Sequence, residues 1–297
     1  MVVLAGALGA APALADSPGL GEAAPFLMPD TSERSHAGVD VFFGSFDADE
    51  GGLLFSAKAT VVTFEPHLDV ALTPQITLSG RLPVAYAQAT NTVLGAELDE
   101  SDTMLGNAAL SARFMSQASR SARAGGGVFV NLPTASGDDD PEDLVNPQAA
   151  VTGVRIFHLE RYIADTTTLG VHGDVRFDLG RAFVQGQVVY MHLIADDEDA
   201  AEGQDADLLR LGVAAGFWLT PMVAAMGELT TLSTSLDDDI QLNGSDEDED
   251  FFHSLDIGLR YAGAQWSLGA RFHLPLDDLF RDDTELLGGG ADLAVYF

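Results

Sequence analysis

Short segments in which apolar and polar residues alternate dominate this sequence. In residues 289–297, Leu293, Val295 and Phe297 fall on one face, whereas Asp292 falls on the other. A period of two is the side-chain repeat of a β-strand, because successive side chains point to opposite faces. A chain built mainly of such segments can only bury them in sheets.

The same alternation recurs in eleven further segments of the chain, which brings the total to twelve. These segments are 37–46, 57–72, 76–88, 104–117, 121–134, 167–179, 182–194, 207–219, 222–236, 250–262 and 265–275. Short turns alternate with long acidic connections, and 32 of the 46 Asp and Glu residues lie in six stretches: 47–56, 89–103, 135–165, 195–206, 237–249 and 276–288. An even strand number with short turns at one end and long loops at the other predicts an all-β fold, a twelve-stranded antiparallel up-and-down transmembrane β-barrel with long acidic extracellular loops.

Composition excludes several other classes of protein. The formal net charge is −32, so the positive surface that nucleic-acid binding requires is missing. A hydrophobic content of 46% excludes an acidic disordered chain. The sequence contains no cysteine, which excludes disulfides and thiolate metal sites.

The N-terminal part of the chain differs from the alternating part. Residues 1–15 are apolar and end in Ala-Leu-Ala, which predicts a cleaved signal peptide, although the basic start is missing. A short N-terminal helix or strand is the alternative. We interpret residues 16–36 as a periplasmic lead-in and residues 37–297 as the barrel. No run reaches the roughly 18 apolar residues of a membrane helix.

Residues 135–165 interrupt the alternation. Asp-Pro-Glu at 140–142 and Asn-Pro at 146–147 are helix-start signals, because proline is favoured at the first helical position after a capping residue. The apolar residues that follow have helical spacing: Val151, Val154 and Phe157. A long loop that carries a helix is therefore predicted, and it is the candidate constriction or lid.

The polar face of the strands carries charges of both signs. The predicted lumen and selectivity residues are Arg81, Arg113, Arg123, Arg176, Arg210, Arg260, Arg271, Asp174 and Asp256. Nearly balanced charges suit a crowded interior, whereas a soluble exterior would also carry lysines, and the chain has only Lys58. We therefore predict that the apolar face meets lipid. A soluble secreted β-sandwich is the alternative.

Two stretches carry a family resemblance. Residues 105–114 (LGNAALSARF) and 127–134 (GVFVNLPT), followed by Gly-Asp at 137–138, resemble transporter barrels linked to meta-pathway phenol degradation. Ala-Ser at 135–136 interrupts the second motif. The terminal strand ending in Phe297 resembles the assembly signal that the barrel-assembly machinery recognises. The resemblance implies an outer-membrane transport channel and does not fix its substrate.

These observations lead to an expected function. We expect passive permeation of small solutes, including hydrophobic or aromatic compounds, through a charged lumen in the bacterial outer membrane, with membrane lipid as a partner. A non-conducting structural or adhesive barrel that works through its acidic loops is the alternative. No enzymatic activity and no cofactor are expected. A hydrolase based on a lumen serine is a third hypothesis, with the candidates Ser79, Ser111, Ser254 and Ser267, although no Gly-x-Ser-x-Gly motif is present.

Metal binding has two candidate sets of residues. The acidic runs at 138–140, 196–199, 237–239 and 246–250 lack the calcium-loop spacing, so we interpret them as solvated loops that could bridge divalent cations to lipid headgroups. His67, His172 and His273 fall on the lumen face and could share a metal only at matching heights. We interpret them as hydrogen-bonded residues and predict no metal site.

Overall fold

The computed structural model describes residues 23–28, 30–31, 34–49, 55–93, 96–135, 146–195, 205–234, 251–277 and 286–297. Fourteen β segments are found there: β1 His36–Asp49, β2 Phe55–Ala71, β3 Ile76–Arg81, β4 Val84–Val93, β5 Ala96–Leu105, β6 Ala108–Ser119, β7 Ala122–Leu132, β8 Thr166–Leu179, β9 Ala182–Ala195, β10 Ala206–Trp218, β11 Val223–Thr234, β12 Phe251–Ala262, β13 Trp266–Pro275 and β14 Leu287–Tyr296.

These segments form one closed antiparallel barrel. From β6 to β14 each segment pairs with the next along the chain, and β1 closes the ring by pairing with both β14 and β2. The closing register places His36 opposite Tyr296 on one side and Asp69 on the other.

Two of the barrel strands are each interrupted once. β3 and β4 pair with successive parts of β2, so they are two halves of one strand that breaks at Leu82 and Pro83. β5 and β6 pair with β4 and β3 in the same way, with a break at Gly106 and Asn107. Counting each broken strand once gives twelve strands in the described chain, which confirms the predicted barrel.

One predicted loop is wrong. The acidic stretch 89–103 was expected to be a loop, but it forms the end of β4 and most of β5. Side chains of β5 such as Leu98 and Asp99 are exposed on both faces, so this strand has no apolar face for a periodicity argument to detect. Within the described residues β5 pairs only with β4.

The outer surface of the barrel is apolar. Large hydrophobic side chains are exposed around the wall, among them Phe43, Phe64, Leu78, Leu110, Val128, Val171, Val213, Ile257, Phe272 and Val295. Their strand neighbours, which include most of the charged residues, point inward. An apolar exterior around a mixed interior is the arrangement of a transmembrane barrel and confirms the predicted inversion.

The predicted helix is present between β7 and β8. Helix α1, Pro147–Val154, begins after Asn146, whose side chain accepts a hydrogen bond from the backbone of Ala149 at 2.7 Å. A 3₁₀ helix, Ile156–Arg161, follows directly. We call residues 147–161 the helical insert. The first helix-start signal, at 140–142, lies outside the described residues. No helix among the described residues is long and apolar enough to cross a membrane.

Candidate functional site: the barrel interior

The helical insert lies inside the barrel, against two apolar patches of the inner wall. α1 packs on β1, β2, β4 and β5 through Val151 and Val154, which are buried against Phe42, Val61 and Ala87. The 3₁₀ helix packs on the opposite wall, where its apolar side chains meet a second cluster formed by Val189, Met191, Leu193, Leu208, Leu232 and Phe252. The insert therefore spans the interior and crosses from one wall to the other.

Glu65 of β2 anchors the insert. Both of its carboxylate oxygens accept hydrogen bonds from Arg161 Nη1, at 2.8 and 2.6 Å, and Oε1 also accepts from Arg81 Nη1 at 2.9 Å. Glu65 is buried, and one carboxylate shared by two guanidinium groups forms strong charge-assisted bonds. This ion-pair group joins the insert to two strands of the wall.

Asparagine side chains hold the main chain of the insert. Asn107 lies at the break between β5 and β6, and its Nδ2 donates to the carbonyl oxygens of Glu160 (3.3 Å) and Ile163 (2.7 Å). Asn131 at the end of β7 donates to the same Glu160 carbonyl at 3.3 Å. The interruption of the strand at Asn107 therefore forms the point where the insert is attached.

Arg210 of β10 holds the insert from the opposite wall. Its Nη1 donates to the Phe157 carbonyl at 2.6 Å and to His158 Nδ1 at 2.9 Å, and lies 3.3 Å from Glu160 Oε1. Burial and the positive charges of Arg161 and Arg210 hold the pKa of His158 well below its usual value. A neutral imidazole is the form that can accept this hydrogen bond.

A second chain segment enters the interior from the N-terminal side. We call residues 23–28, 30 and 31 the lumen segment. The backbone N–H groups of Phe26 and Leu27 donate to Glu228 Oε2 of β11, at 2.9 and 3.1 Å. Glu228 is buried, so bulk solvent does not reach the carboxylate that binds the segment. Residues 16–36 were predicted to be a periplasmic lead-in, and no part of them was expected inside the barrel.

Wall arginines bind the carbonyl oxygens of the lumen segment. Arg176 Nη1 donates to Ala23 O at 2.8 Å, Arg123 Nη1 to Thr31 O at 2.9 Å, Arg271 Nη1 to Phe26 O at 3.3 Å and Arg260 Nη2 to Pro25 O at 3.4 Å. The guanidinium groups of Arg260 and Arg271 also lie 5.2 and 5.7 Å from the centre of the Phe26 ring. These contacts depend mainly on the backbone of the segment, so its side-chain sequence gave little sign of them.

Glycines in the wall leave room for the segment. A Cβ added at Gly258 would lie 2.7 Å from the Phe26 ring, and one at Gly212 would lie 2.6 Å from Met28 Cε. Phe26, Leu27 and Met28 form an apolar triplet between Pro25 and Pro29, which is the one signal in this region that could have indicated burial.

The structure places all the predicted lumen residues on the inner face. Asp256 and Asp174 are buried, and six of the seven arginines lie within 3.5 Å of a carboxylate. These pairs are Arg81–Glu65 (2.9 Å), Arg123–Asp178 (3.5 Å), Arg176–Asp178 (3.0 Å), Arg210–Glu160 (3.3 Å), Arg260–Asp292 (2.7 Å) and Arg271–Asp40 (3.0 Å). Arg113 has no such partner among the described residues.

The three predicted lumen histidines lie in different places. His172 hydrogen-bonds to Asp174 at 2.6 Å and His273 to Asp256 at 3.0 Å, in agreement with their interpretation as hydrogen-bonded residues. His67 instead lies in a group with His36 and Asp69.

His36, His67 and Asp69 could each offer one metal-ligand atom within 4.8 Å of the others. Two imidazoles and a carboxylate suit a zinc-like ion. However, Asp69 already pairs with His36 Nε2 at 2.9 Å, and Arg81 lines the same cavity, where its positive charge opposes a cation. The acidic runs that were considered for calcium lie outside the described residues.

The candidate serines do not form a catalytic set among the described residues. Ser79 donates to Asp69, and His36 lies on the same carboxylate rather than beside the serine. A serine nucleophile requires the histidine between the hydroxyl and the acid. Ser267 contacts the Tyr296 hydroxyl at 3.4 Å.

Phe297, the predicted assembly signal, is exposed on the outside of the barrel, and its backbone N–H donates to Ser35 O at 3.0 Å.

Comparison with solved structures agrees with this architecture. An outer-membrane channel from Pseudomonas putida F1 superposes with a TM-score of 0.61 at 13% identity, over 95% of this chain and all of the other. The fold is that of outer-membrane barrels. The transport unit of the autotransporter AIDA-I from Escherichia coli superposes with a TM-score of 0.55 at 10% identity, over 92% of this chain and 94% of the other.

Comparison of the amino-acid sequence with known proteins identifies no relative of this chain. No protein-family model matches the chain, and no curated protein matches it. At identities of 10–13% the structural likeness establishes the fold, and function has to be argued from the interior.

Proposed function

We propose that this protein is a passive channel of the bacterial outer membrane for small solutes, with no enzymatic activity. One observation carries the proposal: two chain segments, rather than the side chains of the wall, fill the lumen. A small barrel can close its bore with wall side chains alone, whereas a twelve-stranded barrel encloses more space. A lumen filled by segments opens when a segment moves.

The lumen segment is the part whose movement opens the channel. Its main chain is held by four wall arginines and Glu228, through hydrogen bonds that water can replace. Once the segment leaves, those arginines and their carboxylate partners line the passage. Such charges select solutes through their electrostatic field and through the width of the passage that they leave.

The similarity to a channel from Pseudomonas putida F1 supports this proposal at the level of the fold. The resemblance of residues 105–114 and 127–134 to transporter barrels of phenol degradation suggests hydrophobic or aromatic solutes. The Phe297 end is proposed to recruit the barrel-assembly machinery, and the acidic loops are proposed to bridge divalent cations outside the membrane.

Deletion of residues 16–31 tests the channel. The full chain and the deletion variant are reconstituted in liposomes, and sugar uptake is measured by swelling. We expect the deletion to increase the swelling rate several-fold, because it removes the contacts to Glu228 and the wall arginines. Deletion of residues 16–21 alone is the control, since it retains the lumen segment. Equal, low swelling for all three proteins would contradict the channel and favour a structural barrel.

A further inference from the structure

Arg113 of β6 differs from the other inward-facing arginines of the predicted set in the wall. Arg113 is only 8% exposed, and its Nε is fully enclosed. Its side chain nevertheless forms no hydrogen bond or ion pair within the described part of the chain. Burial of an unpaired charge is costly, so such groups are normally paired. A buried guanidinium without a protein partner is poised to bind an anion.

Arg113 opens onto an internal cavity of about 100 Å³. The charged residues that line it are Arg81, Arg113, Arg161, Arg210, Asp69 and Glu160, so four positive and two negative groups leave a net charge of +2. Both carboxylates already have partners: Asp69 binds His36 and Ser79, and Glu160 lies against Arg210 and Arg161. Arg81 and Arg161 are compensated from outside the lining, because they share the Glu65 carboxylate. Arg113 is therefore the positive group of the lining that no carboxylate of the described residues compensates.

The strand register places small residues beside Arg113. Its cross-strand neighbour on β7 is Gly127, and His172 Nε2 lies 2.5 Å from where a Cβ at that position would stand, so the imidazole uses the space that the glycine leaves. Two residues before Arg113 on β6, Ser111 lies between Ser79 of β3 and Phe129 of β7. The two serines leave room for the cavity, and their hydroxyl groups add polar contacts to it.

The remaining lining has a polar part, Asn131, His172 and Gln187, and an apolar part that includes one residue from outside the wall. Phe129 and Val189 come from the wall, and Leu27 comes from the lumen segment. A ligand would therefore need one anionic group for Arg113 and a short apolar body. The volume is below the ~150 Å³ of a cavity that holds benzene, and the cavity is open on one side, so it fits a body of a few carbon atoms without enclosing it.

We propose that this cavity is a binding site for a short-chain organic monocarboxylate, whose carboxylate pairs with Arg113 and whose hydrocarbon chain contacts Phe129, Val189 and Leu27. A guanidinium group binds a carboxylate through two parallel hydrogen bonds. The idea that the site lies on a permeation path rests on the proposed channel function, whereas binding itself does not. Because Leu27 belongs to the lumen segment, an occupied site would contact the segment that closes the barrel.

Calorimetric titration with butyrate tests the site on the full, detergent-solubilised barrel. We expect saturable binding of butyrate to the wild type and no binding of the uncharged butyramide. Arg113→Gln should weaken butyrate binding about tenfold or more, because it removes the charged partner. Arg120→Gln is the matched control, since Arg120 loses the same charge at an exposed turn. Equal affinities in the wild type and Arg113→Gln would overturn the proposal.

A second variant tests the site independently, in case Arg113→Gln fails to fold. Ser111→Leu keeps Arg113 but fills the cavity, and it should also lose butyrate binding. Butyrate should raise the Tm of the wild type and leave the Tm of both variants unchanged. Chloride or inorganic phosphate binding as tightly as butyrate would overturn the assignment to an organic carboxylate.

Conductance separates this site from the channel function. Conduction by the variant that lacks residues 16–31, together with no butyrate binding by the full chain, would overturn the site alone. A protein that binds butyrate through Arg113 and never conducts would overturn the channel and leave the site in place.

Discussion

Charged side chains in the interior connect elements that are far apart in the sequence. Glu65 and Arg161 are separated by 96 positions, and Phe26 and Glu228 by 202. Alternation with the exposed neighbours Phe64 and Leu229 puts Glu65 and Glu228 on the inner face, as it does the wall arginines. It could not show which partner each would meet, because the partners lie in segments without a β pattern.

The ion-pair group at Glu65 leads to a prediction. Glu65→Gln leaves Arg161 and Arg81, whose side chains are 14% and 28% exposed, without their shared buried carboxylate, which should destabilise the insert by about 3 kcal/mol. Hydrogen exchange should show faster exchange of the amides in residues 147–161. Asp47→Asn is the control, because its pair with Lys58 (2.6 Å) is largely exposed and contributes little. Unchanged exchange in Glu65→Gln would show that the apolar contacts alone hold the insert.

At the scale of elements, the sequence was most reliable where one face is apolar. The β8, β9 and β10 segments were predicted to within one residue at each end. The α1 helix was predicted from its capping residue and first proline, which are local signals. The β5 strand was missed because its side chains are exposed on both faces, so no periodic burial marks the sequence.

The packing of α1 on the wall gives a second prediction at this scale. Val151→Asp places a charge among Phe42, Val61 and Ala87, where Val151 is fully buried, and should loosen the insert. We expect higher single-channel conductance or more frequent opening in planar bilayers. Ala149→Asp is the matched control, because Ala149 is exposed on the same helix and an acid in the first turn is favourable. Equal traces from both variants would argue against the insert as a constriction.

At the scale of the whole molecule, the closed ladder determines the behaviour of the barrel in detergent. In the part of the wall that contains β3, each strand is hydrogen-bonded on both sides, because β2, β3, β6 and β7 lie side by side there. A closed barrel without free edges unfolds only when many hydrogen bonds break together. Unfolding should therefore be slow until the sample is heated.

Gel mobility tests this expectation. The unboiled protein should migrate faster in sodium dodecyl sulfate than the boiled protein, because the folded barrel is compact. The same shift in Glu65→Gln would show that the wall is intact and that any exchange effect is local to the insert. Identical mobility before and after boiling would contradict a closed barrel.

The sequence by itself determined the number of strands, the inversion of apolar and polar surfaces and, outside β5, the face that each strand turns to the lumen. These follow from a period of two, which is local and repeats in the strands that have an apolar face. Only the tertiary structure decided what fills the barrel. The lumen segment is held through its backbone, and the isolation of Arg113 depends on which carboxylates the other arginines meet. Both are properties of partners brought together across the chain, which no local pattern records.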